Sequence, residues 1–193
     1  MSLLFAHAVG RRDEDIDLAA AALLYAEREY EGLDVAQYLD RLDEIAALAR
    51  RRGAGVAAVR SVLFDELGFR GNSAAYDDPK NSFLNDVLDR KLGIPITLSV
   101  IFLEVCWRMG LDAHGIGYPG HFLVRAEGQI LDPFHGGRER DPATLVADGL
   151  APVGKRAILT RMLGNLRALE PRRPWVDELL TSLSRPPRIG ARG

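Results

Sequence analysis

The chain has 193 residues, of which 47% are hydrophobic and 27% are charged, and its formal net charge is −2. This composition is typical of a globular protein with a sizeable core, and it excludes recruitment of nucleic acid or membrane by a global positive field. One cysteine excludes an internal disulfide, and no apolar stretch approaches the roughly 20 residues of a bilayer-spanning helix. The N-terminus lacks the basic region of a signal peptide, so we expect a cytoplasmic protein. We also expect no cofactor.

Helical patterns dominate the first part of the chain. Residues 13–30 carry acidic side chains at the start of a predicted helix, where the helix dipole favours them, followed by an apolar stripe. A second helix is predicted over 35–52, with Asp34 as its N-cap. A third is predicted over about 55–67. Together these helices predict an N-terminal helical layer.

Two further helices are predicted after the loop at 68–80. The first is short and ends near Arg90, with Asn81 or Ser82 as its cap and a glycine at 93 closing it. The second, 95–109, begins with a proline, whose missing N–H is not needed in the first turn of a helix. It is apolar nearly all round, which predicts a central, buried position.

The rest of the chain predicts an α+β fold. Strands are expected at about 112–118, 121–126 and 129–133. Helices are expected at about 143–148, 157–169 and 174–184. The predicted organisation is an N-terminal helical layer at 1–80, a core at 81–150, C-terminal helices packing on it at 151–185 and a disordered tail at 186–193.

The string GIGYPG at 115–120 has the spacing of a dinucleotide-binding loop. Such a loop needs a strand before it and a helix after it. Here a strand is predicted after it, so no helix N-terminus is available to a pyrophosphate. These glycines are better explained as a tight connection between two strands.

His121 and Asp132 form the best candidate catalytic pair. If Glu127 and Gly128 make a two-residue hairpin turn, Val124 pairs with Leu131, and the two polar side chains lie on one face of the sheet, within reach of each other. A carboxylate that orients an imidazole fixes its tautomer and raises its basicity. A three-residue turn would separate the pair, and a purely structural hydrogen bond is an equal alternative.

The single thiol does not complete a triad with this pair. Cys106 lies 11 residues after the start of its predicted helix, about 16 Å along the axis at 1.5 Å per residue. A nucleophilic thiolate is favoured at the start of a helix, so we expect Cys106 to be a buried, unreactive core residue. A metal site is not expected either, because the spacing of His114, His121, Asp132 and His135 matches no familiar ligand pattern.

Polar side chains cluster around the loop before the central helices, at Asn72, Tyr76, Asp77, Asn81 and Asn85. Turn formation and capping explain each of them singly. A polar cluster beside a His–Asp pair also suits substrate binding, and we carry Asn72, Tyr76, Asn81 and Asn85 forward as candidates.

Long strings of the sequence resemble the bacterial SirB-type family of transglutaminase-like proteins. These are GNSAAYDDPKNSFLNDVLDRKLGIPITLSVIFLEVCWRMGL, GIGYPGHFLVR and ILDPFHGGR, within a resemblance that covers about residues 15–169. The resemblance implies a papain-like core, in which a central helix packs against a small antiparallel sheet. In the wider superfamily a catalytic cysteine opens that helix, a histidine opens a strand, and an aspartate or asparagine lies on the next strand.

Carried onto this chain, the resemblance assigns the family's histidine to His121 and its aspartate to Asp132. The family's nucleophile position falls at or near Pro95, so the expected cysteine is missing. Thr97 and Ser99, one helical turn further on, are the hydroxyls nearest to that position, and a hydroxyl needs stronger activation by a base than a thiol does.

The sequence therefore supports three hypotheses. The first is a Cys-less pseudoenzyme, a binding or regulatory module that holds a protein, peptide or small molecule in a groove near His121 and Asp132. The second is a non-thiol enzyme that uses His121 as a general base on an amide, peptide or related small molecule. The third is a scaffold that works through helices 13–52 and 174–184.

Overall fold

The computed structural model describes residues 3–146 and 149–185. The helices are α1 (Leu3–Val9), α2 (Leu18–Ala26), α3 (Val35–Arg52), α4 (Val56–Arg60), α5 (Leu84–Arg90), α6 (Pro95–Arg108), α7 (Lys155–Leu169) and α8 (Pro174–Leu183). The strands are β1 (Arg70–Gly71), β2 (Leu92–Gly93), β3 (Ala113–Ile116), β4 (Leu123–Ala126), β5 (Gln129–Asp132), β6 (Arg138–Glu139) and β7 (Pro152–Val153). Among the described residues, no helix is both long and apolar enough to cross a membrane.

The predicted helix at 13–30 is wrong at both ends. A 3₁₀ turn occupies Asp13–Asp15, and α2 starts only after Asp17, whose side chain accepts a hydrogen bond from the N–H of Ala20. Asp13 is engaged elsewhere, because its carboxylate accepts the backbone N–H groups of Lys155 and Arg156 at the start of α7. A distant helix end, rather than the local pattern, therefore sets this boundary.

The second helix is confirmed at its predicted limits, and Asp34 caps it by accepting from the N–H of Gln37 at 3.0 Å. The third predicted helix is α4, which continues as a π-helical turn over Ser61–Glu66.

The predicted cap of α5, Asn81 or Ser82, is wrong. Both residues lie in a 3₁₀ turn that precedes the helix, and Phe83 occupies the cap position. The helix closes at Lys91, in a left-handed conformation, so Gly93 is not its terminator.

Helix α6 is the centre of the fold, as predicted. Its residues from Pro95 to Cys106 are all buried, and the surrounding helices and the sheet share one continuous hydrophobic core with it. Gly110 follows the helix in a left-handed conformation, which ends it. The position of the start of α6 is thus fixed by packing in the core.

The main sheet has five antiparallel strands in the order β6–β5–β4–β3–β7, and a separate parallel pair joins β1 to β2. The two-residue turn is confirmed: Val124 pairs with Leu131, and Ala126 pairs with Gln129 around Glu127 and Gly128. Both turn residues have positive φ, at 49° and 80°, as a type I′ turn requires. The three strands are shorter than predicted, and β4 begins two residues after His121.

The C-terminal helices pack on the rest of the chain. The apolar side of α8, including Val176, Leu179 and Leu183, is buried against α7 and α1. The segment at 174–184 therefore docks on its own domain. The helix expected at 143–148 is a 3₁₀ turn over Pro142–Thr144 as far as the structure describes it, with residues 147–148 and the tail at 186–193 outside the described part.

We predict opposite stability effects for two matched glycine substitutions. Gly128→Ala should lower the free energy of unfolding by about 1–2 kcal/mol, because a Cβ is disfavoured at positive φ although space is free there. Gly164→Ala, inside α7 with equally free space, should raise it by about 1 kcal/mol through helix propensity. Urea unfolding measures both, and a stabilising effect of Gly128→Ala would contradict the type I′ turn.

Candidate ligand-binding site at the start of the central helix

A tight turn places His121 just before β4. The backbone N–H of His121 donates to the carbonyl of Tyr118 at 3.0 Å, and Gly120 has a φ of +67°. These glycines connect two strands, as expected from the order of the elements. The side chain of His121 is 19% exposed, so one edge of its ring is accessible.

The hairpin register brings His121 and Asp132 together. Asp132 ends β5, and its Oδ1 lies 2.8 Å from Nε2 of His121. Because an ionised carboxylate only accepts, Nε2 is the donor in this hydrogen bond. The Nδ1 atom of His121 has no hydrogen-bond partner among the described residues and remains available to a ligand.

Asp132 also holds a second histidine and an arginine. Its Oδ2 lies 2.9 Å from Nδ1 of His135 and 3.0 Å from Nη1 of Arg140, and its Oδ1 accepts the backbone N–H of His135 at 3.3 Å. Burial by itself would raise the pKa of Asp132, but the hydrogen bonds and charges of the two histidines hold it well below its usual value. The carboxylate is therefore ionised at neutral pH.

Among the described residues, His121, Asp132 and His135 form the group that could hold a metal ion. Ligand atoms of His121, Asp132 and His135 lie within 4.8 Å of one another, and two imidazoles with a carboxylate suit a zinc or iron ion. In the structure each imidazole is hydrogen-bonded to the carboxylate, so a metal would have to displace both bonds. His114 is not part of this group and pairs with Asp112 at 3.0 Å.

A pocket of about 170 Å³ opens where the start of α6 meets the turn that carries His121. Pro95 and Ile96 line it from α6, Gly120, His121 and Phe122 from the turn, and Tyr76, Arg161 and Asn165 from the loop and α7. The pocket thus contains the imidazole together with the position at which the family's nucleophile was expected. A second cavity of about 150 Å³ shares Tyr76 and Asn165 and extends towards Leu169.

The structure places the candidate residues of the polar loop in three different settings. Asn72 and Asn81 are buried and bind each other and the backbone of Ala75 and Tyr76, so they shape the loop. Tyr76, 45% exposed, reaches the pocket. Asn85 is buried outside the pocket lining, and its Oδ1 has no partner among the described residues.

The two candidate hydroxyls lie deeper than the pocket. Ser99 is fully buried and its Oγ lies 3.4 Å from the carbonyl of Phe122. Thr97 is also fully buried, and its Oγ1 has no partner among the described residues. Neither side chain lines the pocket beside His121.

Cys106 is buried in the core, as predicted. Burial, with a smaller contribution from the charge of Glu127, raises the pKa of its thiol to about 12. The thiol is therefore protonated at neutral pH and separated from the pocket by most of the length of α6.

Arg140, Arg161 and Asn165 are not predicted from the sequence as site residues, and His135 is considered there only as a metal ligand. Arg161 and Asn165 lie one turn apart on α7, and no local pattern ties that helix to a turn 40 residues earlier. His135 and Arg140 follow Asp132 closely, and the LDPFH string with Asp132 as the cap of a 3₁₀ turn was a usable signal for His135.

Comparison with known sequences decides the family. The sequence profile described as the transglutaminase-like superfamily matches residues 36–164, which include α6, His121 and Asp132. The chain belongs to the transglutaminase-like superfamily. The predicted α+β transglutaminase-like fold is thereby confirmed.

Several relatives share this transglutaminase-like region. A UPF0162 protein of Xylella fastidiosa is 37% identical over 185 residues, covering 81% of this chain and 66% of that protein. A UPF0162 protein of Pseudomonas aeruginosa is 29% identical over 173 residues, covering 79% and 64%. F-box only protein 21 of mouse is 40% identical over 81 residues, covering 40% of this chain and 13% of that protein.

The match thus spans about two thirds of the length of the Xylella and Pseudomonas relatives. No solved structure matches the chain significantly.

We predict that Asp132→Asn lowers the free energy of unfolding at neutral pH by about 2 kcal/mol, because hydrogen bonds to a charged group contribute about 1.5–3 kcal/mol. Asp112→Asn is the matched control, since its pair with His114 is exposed and contributes little. Urea unfolding measures both variants. Equal stability of the two would show that the Asp132 cluster does not hold the site together.

The effect of Asp132→Asn should also depend on pH. The pKa of Asp132 is lower in the folded than in the unfolded chain, where it is about 3.9. Its stabilising contribution is therefore fully present above about pH 4 and is lost as the pH falls towards the folded-state pKa. Unfolding of wild type and variant from pH 7 to pH 2 should show their difference shrinking only in the acidic range.

Cys106 should resist thiol reagents in the folded protein. With a pKa of about 12 the thiolate fraction at pH 8 is about a thousandfold below that of an ordinary cysteine, and burial slows the reaction further. The reaction with Ellman's reagent in buffer and in concentrated urea measures this difference. Similar rates under the two conditions would overturn the assignment of Cys106 to the core.

Proposed function

We propose that this chain is a Cys-less, SirB-type transglutaminase-like domain that works as a ligand-binding or regulatory module. Its ligand is a short peptide, or a small amide, bound in the pocket beside His121. The observation that carries the proposal is that Pro95 and His121 line one pocket. By resemblance, the family's nucleophile falls at or near Pro95, and a proline supplies no thiol.

Several features of the pocket support binding of a polar ligand. His121 offers Nδ1, and the side-chain amide of Asn165 makes no hydrogen bond to the described residues. Tyr76 adds a hydroxyl at the pocket edge. Asp132 and its partners hold the imidazole in one orientation, which reduces the entropy that binding has to remove.

A thermal-shift screen with short N-acetylated peptides and their amides tests this proposal. A ligand at a hundredfold excess over its Kd stabilises the folded state by about 2.7 kcal/mol, which raises Tm by several degrees in a protein of this size. The shift should persist in His114→Ala, whose histidine lies outside the pocket, and should be lost in His121→Ala. Ligands that stabilise both variants equally would refute the pocket as the binding site.

A second function, that of a non-thiol hydrolase, is favoured by the 2.8 Å hydrogen bond between His121 and Asp132. In this reaction Nδ1 of His121 takes a proton from water, and the oxygen of that water attacks the carbonyl carbon of an amide. The tetrahedral intermediate then collapses as the C–N bond breaks, and the imidazolium gives its proton to the departing amine.

Amine release from the peptide amides that bind distinguishes the two functions. A hydrolase should lose about 10²–10⁴-fold of its rate in His121→Ala, the usual contribution of a general base. Cys106→Ser should retain its rate, since that side chain lies away from the pocket. Binding without any release of amine would leave the binding module as the function.

A further inference from the structure

Arg161 is a half-buried cation beside the pocket. Its Nη2 donates to the backbone carbonyls of His121 at 2.7 Å and Tyr118 at 3.2 Å, so the arginine is fixed to the turn that carries the imidazole. Its guanidinium also lies over the ring of Phe122, 5.5 Å from the ring centroid. Two carbonyls and an aromatic face thus hold the charge in one place.

No carboxylate of the described residues pairs with Arg161. Arginines with an acidic partner there include Arg12, Arg41, Arg52, Arg90, Arg108, Arg140, Arg167 and Arg173. The Nε and Nη1 atoms of Arg161 make no hydrogen bond within the described part of the chain. Because a partly desolvated charge is costly without a counter-charge, these two donors suit an anionic ligand.

The polar lining of the pocket points to the same chemistry. Asn165, one turn along α7 from Arg161, adds an amide N–H₂ that is free of partners in the described residues, and no acidic side chain lines this pocket. A larger, more open cavity also contacts Arg161, but its lining contains the carboxylate of Asp13 as well as the guanidinium of Arg156. Of the two cavities, the one beside His121 has no acidic side chain in its lining, and we place the anion there.

The size of the pocket and the placement of the donors favour a carboxylate. Because Nη2 of Arg161 is bonded to two carbonyls, the guanidinium offers a ligand one N–H at a time, from Nε or from Nη1, and the amide of Asn165 can donate to the second carboxylate oxygen. The pocket volume of about 170 Å³ corresponds to about five or six water molecules, which leaves room for a carboxylate and a few more heavy atoms. The adjoining cavity, lined by Ile94, Ala168 and Leu169 but also by Asp77, accepts an extension without a second negative charge.

We propose that Arg161 and Asn165 form a carboxylate-recognition site next to His121, and that the ligand is an amide or a peptide end bearing one carboxylate. This inference rests on the proposed function, since it names the ligand class of the same pocket. It assigns Arg161 a role in affinity, separate from the role of His121 in contacting the amide.

N-acetylglycine is the probe, because it combines one amide with one carboxylate, and N-acetylglycinamide is its uncharged counterpart. Binding is followed by NMR, through the imidazole signals of His121 and the side-chain amide of Asn165. N-acetylglycine should shift these signals at millimolar concentration, and N-acetylglycinamide should bind about tenfold or more weakly, as expected for loss of a charged hydrogen-bonded pair. Equal binding of the two probes would overturn the proposal.

Two variants and a control locate the site. Arg161→Gln should weaken N-acetylglycine binding about tenfold or more, whereas Arg167→Gln, an exposed arginine of the same helix, should leave it unchanged. If Arg161→Gln does not fold, Arg161→Lys serves, since it keeps the charge but loses the planar guanidinium that donates to the carbonyls and to the ligand at once, and it should still weaken binding. Wild-type affinity in a folded Arg161 variant would contradict the assignment.

Methyl phosphate provides the third arm. If it binds at the same signals and N-acetylglycine does not, the site is a phosphate site and the carboxylate assignment is wrong. The proposed function is judged separately: a peptide whose binding requires His121 but not Arg161 would uphold the binding pocket and refute only this inference. If binding of N-acetylglycine requires Arg161 while no amide ligand requires His121, this inference would stand and the proposed function would be refuted.

Discussion

The carboxylate of Asp132 is the interaction on which the site depends. It is buried and ionised, and it accepts hydrogen bonds from His121, from both the ring and backbone of His135, and from Arg140. A buried charge of this kind is stable only while its partners remain in place. The type I′ turn at Glu127 and Gly128 sets the register that brings the partners together, so a local backbone feature determines the geometry of the whole site.

The second constraint is the burial of α6. Because the residues from Pro95 to Cys106 are buried, the start of this helix has a fixed position, and Pro95 and Ile96 line the pocket that also contains His121. The resemblance places the nucleophile of the superfamily's thiol enzymes at or near this position. In this chain the position is a proline, and the single thiol lies in the core with a raised pKa. The start of α6 therefore lines a cavity beside an oriented imidazole, and no cysteine is among the residues that line this cavity.

The sequence predicted those parts of this account that depend on local patterns. The 3.6-residue periodicity and the Asp34 cap predict α3 to the residue, and the apolar character of 95–109 predicts a central helix. The Glu127–Gly128 dipeptide predicts the hairpin, although the register needed the structure to decide it. Where a distant contact decides, prediction fails: the carboxylate of Asp13 accepts the N–H groups at the start of α7 instead of starting its own helix. Arg161 and Asn165 could not be assigned to the site, because only tertiary packing brings α7 to the His121 turn.

The most direct test of the account is the tautomer of His121, read from ¹H–¹⁵N correlations of the imidazole rings in mildly alkaline buffer. The account predicts a proton on Nε2 and an unprotonated Nδ1 for His121, since Nε2 donates to Asp132. His135 should show the opposite tautomer, because its Nδ1 donates to the same carboxylate, and it serves as an internal comparison. A proton on Nδ1 of His121 would mean that Asp132 does not orient the imidazole and would contradict the central claim.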